Sequence, residues 1–280
     1  MADTTSKENS TNLSSEEEEE VTERSPPRAA VVYETVRKEG ESELIRPVEA
    51  LIFSGLAAGL SMGFSLVALG LIEAHLPDAI WRPLVAKFGY SAGFLIVVLG
   101  RQQLFTENTL TVILPLLQRL NYTTLMQVLK VWGLVLISNL AGTLAFAWVI
   151  AHTNIFEPEI KQVFNEIGYK VATSGDWFTI FMRSIFAGWL IALMVWLLPA
   201  AESGRIWIII IMTYLVALGE YSHIIAGSTE VFYAIATGSV SWSYYFISWM
   251  LPTLLGNIVG GVTLVAVLGH AQVVNEATYS

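Results

Sequence analysis

The chain has 280 residues, of which 54% are apolar and 14% charged, an apolar share above the roughly 45–50% of soluble domains. One soluble core cannot bury that much apolar surface, so lipid is expected to act as solvent for much of the chain. The net charge of −9 and the lack of cysteine leave no basic stripe for nucleic acid, no disulfide and no thiolate metal site, and nothing in the sequence asks for a cofactor.

Residues 1–45 hold the run Glu16 to Glu20 and few aromatics, which predicts a solvated, largely disordered cytoplasmic tail. A weakly amphipathic segment at 29–36 within it offers a surface to a cytoplasmic partner. The first apolar run begins near Val48, behind this polar leader, so no signal peptide is expected. A spanning helix needs about 20 mostly apolar residues. Val48 to Ile72, Leu125 to Ile150, Phe178 to Ala201 and Tyr244 to Leu268 meet that length. The membrane domain is therefore expected over 46–270, with a short cytoplasmic tail at 271–280.

Two further apolar regions are interrupted. Leu84 to Gly100 meets Arg101-Gln102-Gln103, and only the short piece Thr109 to Leu117 follows. Ile206 to Gly219 likewise meets Glu220-Tyr221-Ser222-His223 before the short piece Val231 to Ala236. Each is expected to form two half-helices around a polar break. Lipid cannot satisfy bare N–H and C=O groups, so such backbone belongs inside protein or along a cavity. Paired broken segments point to the solute site of a transporter or pore.

The two halves of the chain correspond. Gly100 precedes the first break, and Asn139-Leu140-Ala141-Gly142 begins 39 residues later; Gly219 precedes the second, and Asn257-Ile258-Val259-Gly260 begins 38 residues later. Ala58-Gly59 and Ala187-Gly188 mark the first helix of each half. Three helices per half is odd, so the second copy is inverted. The fold expected is an all-α integral membrane protein with six transmembrane helices in a 3+3 inverted repeat, the second and fifth broken. Arg28, Arg37, Lys38, Arg46, Arg119 and Arg205 fall on one side, which favours both termini in the cytoplasm.

Ionisable groups at membrane depth are costly, and each is a functional candidate. Arg101, Glu107, Glu220, His223 and Glu230 stand at or beside the breaks. Arg101 is expected to pair with Glu220 or Glu230 and pin the broken helices; Glu107 has no assigned partner. His75, His152 and His270 fall at loop edges, whereas His223 falls where two half-helices should meet. An imidazole there can offer a hydrogen bond or a proton to a passing anion. Thr106 lies in the first break, and half-helix N-termini favour negative charge. Gly55, Gly59, Gly63, Gly142, Gly256 and Gly260 permit close helix contacts.

At these residues the chain resembles the formate/nitrite transporter family over about residues 44–270. Leu104-Phe105-Thr106, His223-Ile224-Ile225-Ala226 and Gly256-Asn257-Ile258-Val259-Gly260-Gly261 carry the resemblance. It implies an aquaporin-like fold, a homopentamer in a bacterial inner membrane, and one pore per protomer for small monovalent anions of weak acids, by channel flow or with a proton. It also implies that His223 is a central pore residue, Thr106 a loop threonine, Asn257 a polar residue of the last helix and Lys170 a vestibule lysine. On this basis Lys170 gathers the anion, apolar constrictions including Leu104 and Phe105 reject hydrated ions, His223 stabilises or protonates the anion, and Thr106 holds the loop. The chain departs from the family pattern at Gln103, Ser222, Gly227 and Gly188, so a particular substrate does not follow from the resemblance.

Rival functions can be set beside this one. Gly59-Leu60-Ser61-Met62-Gly63 fits the G-x-S-x-G nucleophile pattern and, with Trp81-Arg82 and His223, resembles an intramembrane serine protease. Ser61, however, falls inside a spanning run with no turn to activate it, and both helix breaks would go unexplained. A pore for a neutral solute, or a pore-fold sensor or scaffold, fits the altered positions around His223.

Overall fold

The computed structural model of the chain describes residues 13–25, 27–201 and 203–279. Expectations for residues 1–12 and 280 fall outside these. The described residues are helical for most of their length. It forms α1 (Ser15–Arg24), α2 (Ala29–Leu44), α3 (Val48–His75), α4 (Arg82–Ala86), α5 (Ser91–Leu99), α6 (Phe105–Thr111), α7 (Ile113–Arg119) and α8 (Tyr122–His152). Then follow α9 (Pro158–Ala172), α10 (Trp177–Leu197), α11 (Arg205–Leu218), α12 (Ile224–Ala236), α13 (Trp242–Tyr244), α14 (Leu251–Gly261) and α15 (Leu268–Tyr279).

Among the described residues, four helical runs are long and apolar enough to cross a membrane: Val48–His75, Arg82–Leu99, Tyr122–His152 and Trp177–Ala200. The second joins α4 to α5 through a 3-10 turn at Lys87–Tyr90. The region expected as Tyr244 to Leu268 is part of a longer helical run in which π-helical stretches at Tyr245–Met250 and Val262–Val267 connect α13, α14 and α15. Phe53, Phe64, Ile137, Trp148, Trp207 and Ile247 stand exposed on the outside of these helices, as lipid-facing surface requires.

Close helix crossings build the core. α3 packs along α8 and α10 along α14. A Cβ at Gly59 would collide with the carbonyl of Asn139, and one at Gly188 with the carbonyl of Asn257. Small residues therefore let these backbones touch, the usual device of helix pairs in lipid.

The polar stretches after α5 and α11 have a local cause. Gln102 N–H donates to Val97 O (3.0 Å) and Arg101 N–H to Val98 O (3.2 Å). Tyr221 N–H donates to Val216 O (3.0 Å) and Glu220 N–H to Ala217 O (3.1 Å). Both are helix-ending motifs of the Schellman type, whose turn residue is usually glycine. Arg101 and Glu220 occupy that left-handed position, each at φ 53°, where a non-glycine residue costs roughly 1–2 kcal/mol. Helix resumes after Leu104 and after His223, both at φ −108° and ψ 126°.

α12 begins at Ile224, seven residues before the helix expected at Val231, because the His223 side chain caps it. In the N-terminal segment, the amphipathic stretch at 29–36 is part of the 16-residue α2. Val32, Tyr33 and Val36 are buried, and a Cβ at Gly40 would collide with the carbonyl of Thr111, so α2 lies directly on the end of α6. Tyr33 Oη meets His270 Nδ1 at 2.7 Å, tying α2 to α15.

Candidate functional site

Two buried asparagines hold the restarting helices. Asn139 Oδ1 accepts from Phe105 N–H (2.9 Å), and its Nδ2 donates to the carbonyls of Gly55 (2.7 Å) and Gln103 (2.9 Å). Asn257 repeats this in the second half, with Oδ1 accepting from Ile224 N–H (2.8 Å) and Nδ2 donating to Ser184 O (2.8 Å) and Ser222 O (2.9 Å). Each amide thus ties the first residue of a half-helix to the chain before it and to a neighbouring span.

His223 and Thr106 come together between these anchors. His223 Nε2 lies 2.8 Å from Thr106 Oγ1, and both residues are buried. The other ring nitrogen sets the tautomer. Nδ1 accepts from the N–H groups of Ile225 (3.3 Å) and Ala226 (3.2 Å), and a backbone amide can only donate. The ring proton therefore sits on Nε2, which donates to Thr106. Phe94 meets the imidazole edge to face at 5.1 Å. Leu104 and Phe105 are fully buried beside Thr106, with Phe105 against the indole of Trp132 at 5.9 Å.

A vestibule of about 480 Å³ opens onto His223. Its charged lining is mixed, with Lys87, Lys170 and Arg183 beside Glu73, Glu166, Glu220 and Glu230. Lys170 Nζ lies 2.7 Å from Glu220 Oε1, and Lys87 Nζ lies 3.5 Å from the same oxygen. Glu230 is buried in α12, at the vestibule wall.

Among the described residues, Arg101 pairs with neither Glu220 nor Glu230, the partners expected of it. Arg101 bonds Glu39 of α2, Nη2 to Oε1 at 3.0 Å, while Glu220 bonds Lys170 and Lys87. The two turns match in backbone but face different elements, α2 in one case and α9 in the other, so Arg101 and Glu220 do not meet. Glu107 stands in the first turn of α6 with its Oε1 buried and without a hydrogen bond. The altered positions have local explanations. Gln103 accepts from Asn108 Nδ2 at 3.0 Å, and Ser222 offers its carbonyl to Asn257. The space a side chain would take at Gly227 is filled by the indole of Trp249.

Sequence reasoning missed the anchoring work of Asn139, although its Asn-x-x-Gly spacing matched that of Asn257. It did not single out Lys87. Glu39 gave no signal, since it is one acid among many in the N-terminal segment.

Comparison with known proteins bears on this geometry. The family model described as formate/nitrite transporter matches residues 30–271. The inner membrane protein YfdC of Escherichia coli (strain K12) is 42% identical over 254 residues, covering 91% of this chain and 82% of that protein. A probable formate transporter of Methanothermobacter thermautotrophicus is 29% identical, covering 78% of this chain and 82% of the relative. Among solved structures, a pentameric formate channel with formate bound superposes with a TM-score of 0.69 at 18% identity, over 81% of this chain and 98% of that one. An FNT family ion channel gives a TM-score of 0.73 at 17% identity, over 88% and 98%. These two likenesses establish the fold, an all-helical membrane channel fold. The chain belongs to the formate/nitrite transporter family, a family of membrane channels and transporters rather than enzymes.

Proposed function

We propose that each protomer is a pore for a small monovalent weak-acid anion, with passage linked to a proton. The observation that carries the proposal is the Thr106–His223 hydrogen bond of 2.8 Å, which joins the two helix restarts where the vestibule that holds Lys170 and Lys87 reaches His223. Lys170 and Lys87 gather the anion. Leu104 and Phe105 form the apolar constriction, Thr106 holds the loop, and Asn257 fixes the end of α12. With Nδ1 committed to the helix N-terminus, His223 stabilises the anion by donating from Nε2 and does not supply its proton. The proton comes from the vestibule side, and the neutral acid crosses the apolar zone far more cheaply than a bare charge.

The matched turns at Arg101 and Glu220 and the matched anchors Asn139 and Asn257 support six spans in an aquaporin-like inverted 3+3 repeat, with the second and fifth broken. On that reading residues 1–45 and 271–280 are cytoplasmic and 46–270 form the pore domain. The pentameric assembly of a structurally similar channel, and the inner-membrane placement of YfdC, support a homopentamer in a bacterial inner membrane.

Uptake of several weak-acid anions into proteoliposomes, followed across a pH series beside His223→Phe, tests the proposal. Saturable uptake that rises at low pH and disappears in the variant is expected. Flux unchanged in His223→Phe sinks the role of His223. No anion flux from intact oligomers sinks the anion pore and leaves a neutral solute or a sensory role.

A further inference from the structure

Two ammonium groups from distant parts of the chain meet on one oxygen above His223. Lys170 of α9 and Lys87, between α4 and α5, converge on Oε1 of Glu220 at 2.7 and 3.5 Å. Both lysines line the cavity that reaches His223. The turn itself does not call for a carboxylate, because the matching turn carries Arg101 at the same φ of 53° and directs a cation to α2. The Lys87 side chain is 18% exposed, Glu220 39% and Lys170 69%, so the carboxylate stands between a largely dehydrated cation and one open to solvent.

We infer that Glu220 is a tethered occupant of an anion subsite formed by Lys170 and Lys87, and that an incoming small carboxylate or like-shaped oxyanion enters by displacing it. This deepens the anion-pore reading and rests on it. Without the carboxylate, two ammoniums, one of them largely dehydrated, would hold a substrate anion longer, and conduction needs a site that is favourable to enter and easy to leave. A built-in competitor meets both needs. One of the two positive charges remains neutralised when the pore is empty, and the returning carboxylate of Glu220 releases the substrate toward His223. A neutral solute gains nothing from such an exchange.

The test is concentration-dependent uptake of labelled formate by proteoliposomes carrying the wild-type protein, Glu220→Gln, Lys170→Met or both changes. Removing a partly exposed competing ion should lower the half-saturating concentration about two- to fivefold in Glu220→Gln, with no rise in maximal rate. Adding Lys170→Met to Glu220→Gln should return the half-saturating concentration to the wild-type value or above it. Glu220→Asp, which withdraws the carboxylate by one methylene, should show a smaller fall and serves if Glu220→Gln fails to assemble. A mere structural pin predicts the opposite, a slower uptake with half-saturation unchanged or raised; that result in intact oligomers overturns the inference alone. Absence of saturable formate or acetate uptake by the wild-type protein overturns the anion pore first, and this inference with it.

Discussion

Asn139 and Asn257 perform the same task 118 positions apart, each accepting from the first amide of a restarting helix and donating to two carbonyls. Both side chains are fully buried. Replacement of either by Ala leaves the first amide of the restarting helix and the carbonyl of the break (Gln103 or Ser222) without partners, at about 1–3 kcal/mol for each, while Gly55 and Ser184 keep their helical donors. Asn139→Ala and Asn257→Ala should therefore each destabilise the protein by on the order of 2 kcal/mol or more. Asn→Asp should be no better, because a carboxylate cannot donate to the two carbonyls. Thermal unfolding in detergent checks this; an unchanged midpoint in either variant refutes the anchoring role.

The Thr106 hydroxyl is the acceptor for the His223 Nε2 proton, at 2.8 Å in a buried site. Thr106→Ser keeps the hydroxyl and should retain most uptake. Thr106→Val keeps the shape, removes the acceptor and leaves the buried Nε2–H unpaired, at a cost of about 1–3 kcal/mol. The imidazole would then turn toward other partners, and uptake should fall at least tenfold, the rate equivalent of about 1.4 kcal/mol. Equal uptake by the Ser and Val variants would remove the hydroxyl from the mechanism.

Much of this arrangement was legible from residue order. The apolar runs gave three spans almost to their ends, and the polar runs after Gly100 and Gly219 located both turns. His223 stood out as the one histidine between half-helices, and Thr106 as the hydroxyl in the other break. What failed was partner choice. Equivalent positions in two halves suggested that Arg101 and Glu220 attract each other, but equivalence fixes backbone geometry and not proximity. The start of α12 was missed because a histidine is not an obvious helix cap. The docking of α2 was missed because its apolar face consists of a few residues in an acidic segment, with Gly40 making the contact without a side chain.

Arg101 and Glu39 lie 3.0 Å apart, with side chains 71% and 36% exposed. An ion pair so open to solvent is worth no more than about 1 kcal/mol and is weakened by salt. Arg101→Gln and Glu39→Gln should each have small effects on unfolding, and a double-mutant cycle should give a coupling of about 0.2–1 kcal/mol that fades in molar salt. A coupling that is large and insensitive to salt would mean that the pair is buried by neighbouring protomers.

The docking of α2 should depend on pH through Glu34. Arg37 grips its carboxylate with two nitrogens, Nε at 2.8 Å and Nη2 at 2.5 Å, and this holds the Glu34 carboxyl below the ordinary carboxylate range. The depressed group favours the helix when ionised. Its contribution is fully present above the ordinary value of about 4.3 and is lost as pH falls through the lower folded value. The side chain is 43% exposed, so solvent keeps the effect small. Amide protection over residues 29–44, corrected for intrinsic exchange, should weaken between pH 5 and pH 3, each about one unit either side of that reference. Glu34→Gln should lose this dependence, and identical profiles would refute it.

Gly188 offers a sharper test of the crossing that positions Asn257. In α10 its Cα faces the α14 backbone so closely that a methyl group would overlap the Asn257 carbonyl. Backbone cannot yield as a flexible side chain does, so Gly188→Ala must push α10 and α14 apart. Overpacking of this kind costs about 1–3 kcal/mol, and the displaced Asn257 loses its grip on Ile224 and Ser222. Gly188→Ala should therefore lower thermal stability and also reduce uptake, because the start of α12 and the imidazole before it shift together. Gly133→Ala, in α8 with open space where the new methyl would stand, is the matched control and should leave uptake unchanged and stability undiminished, since Ala favours a helix interior over Gly. If Gly188→Ala unfolds normally while uptake falls, the crossing tunes the pore without limiting stability; if both stay at wild-type values, the close approach of α10 and α14 is not what holds Asn257 in place.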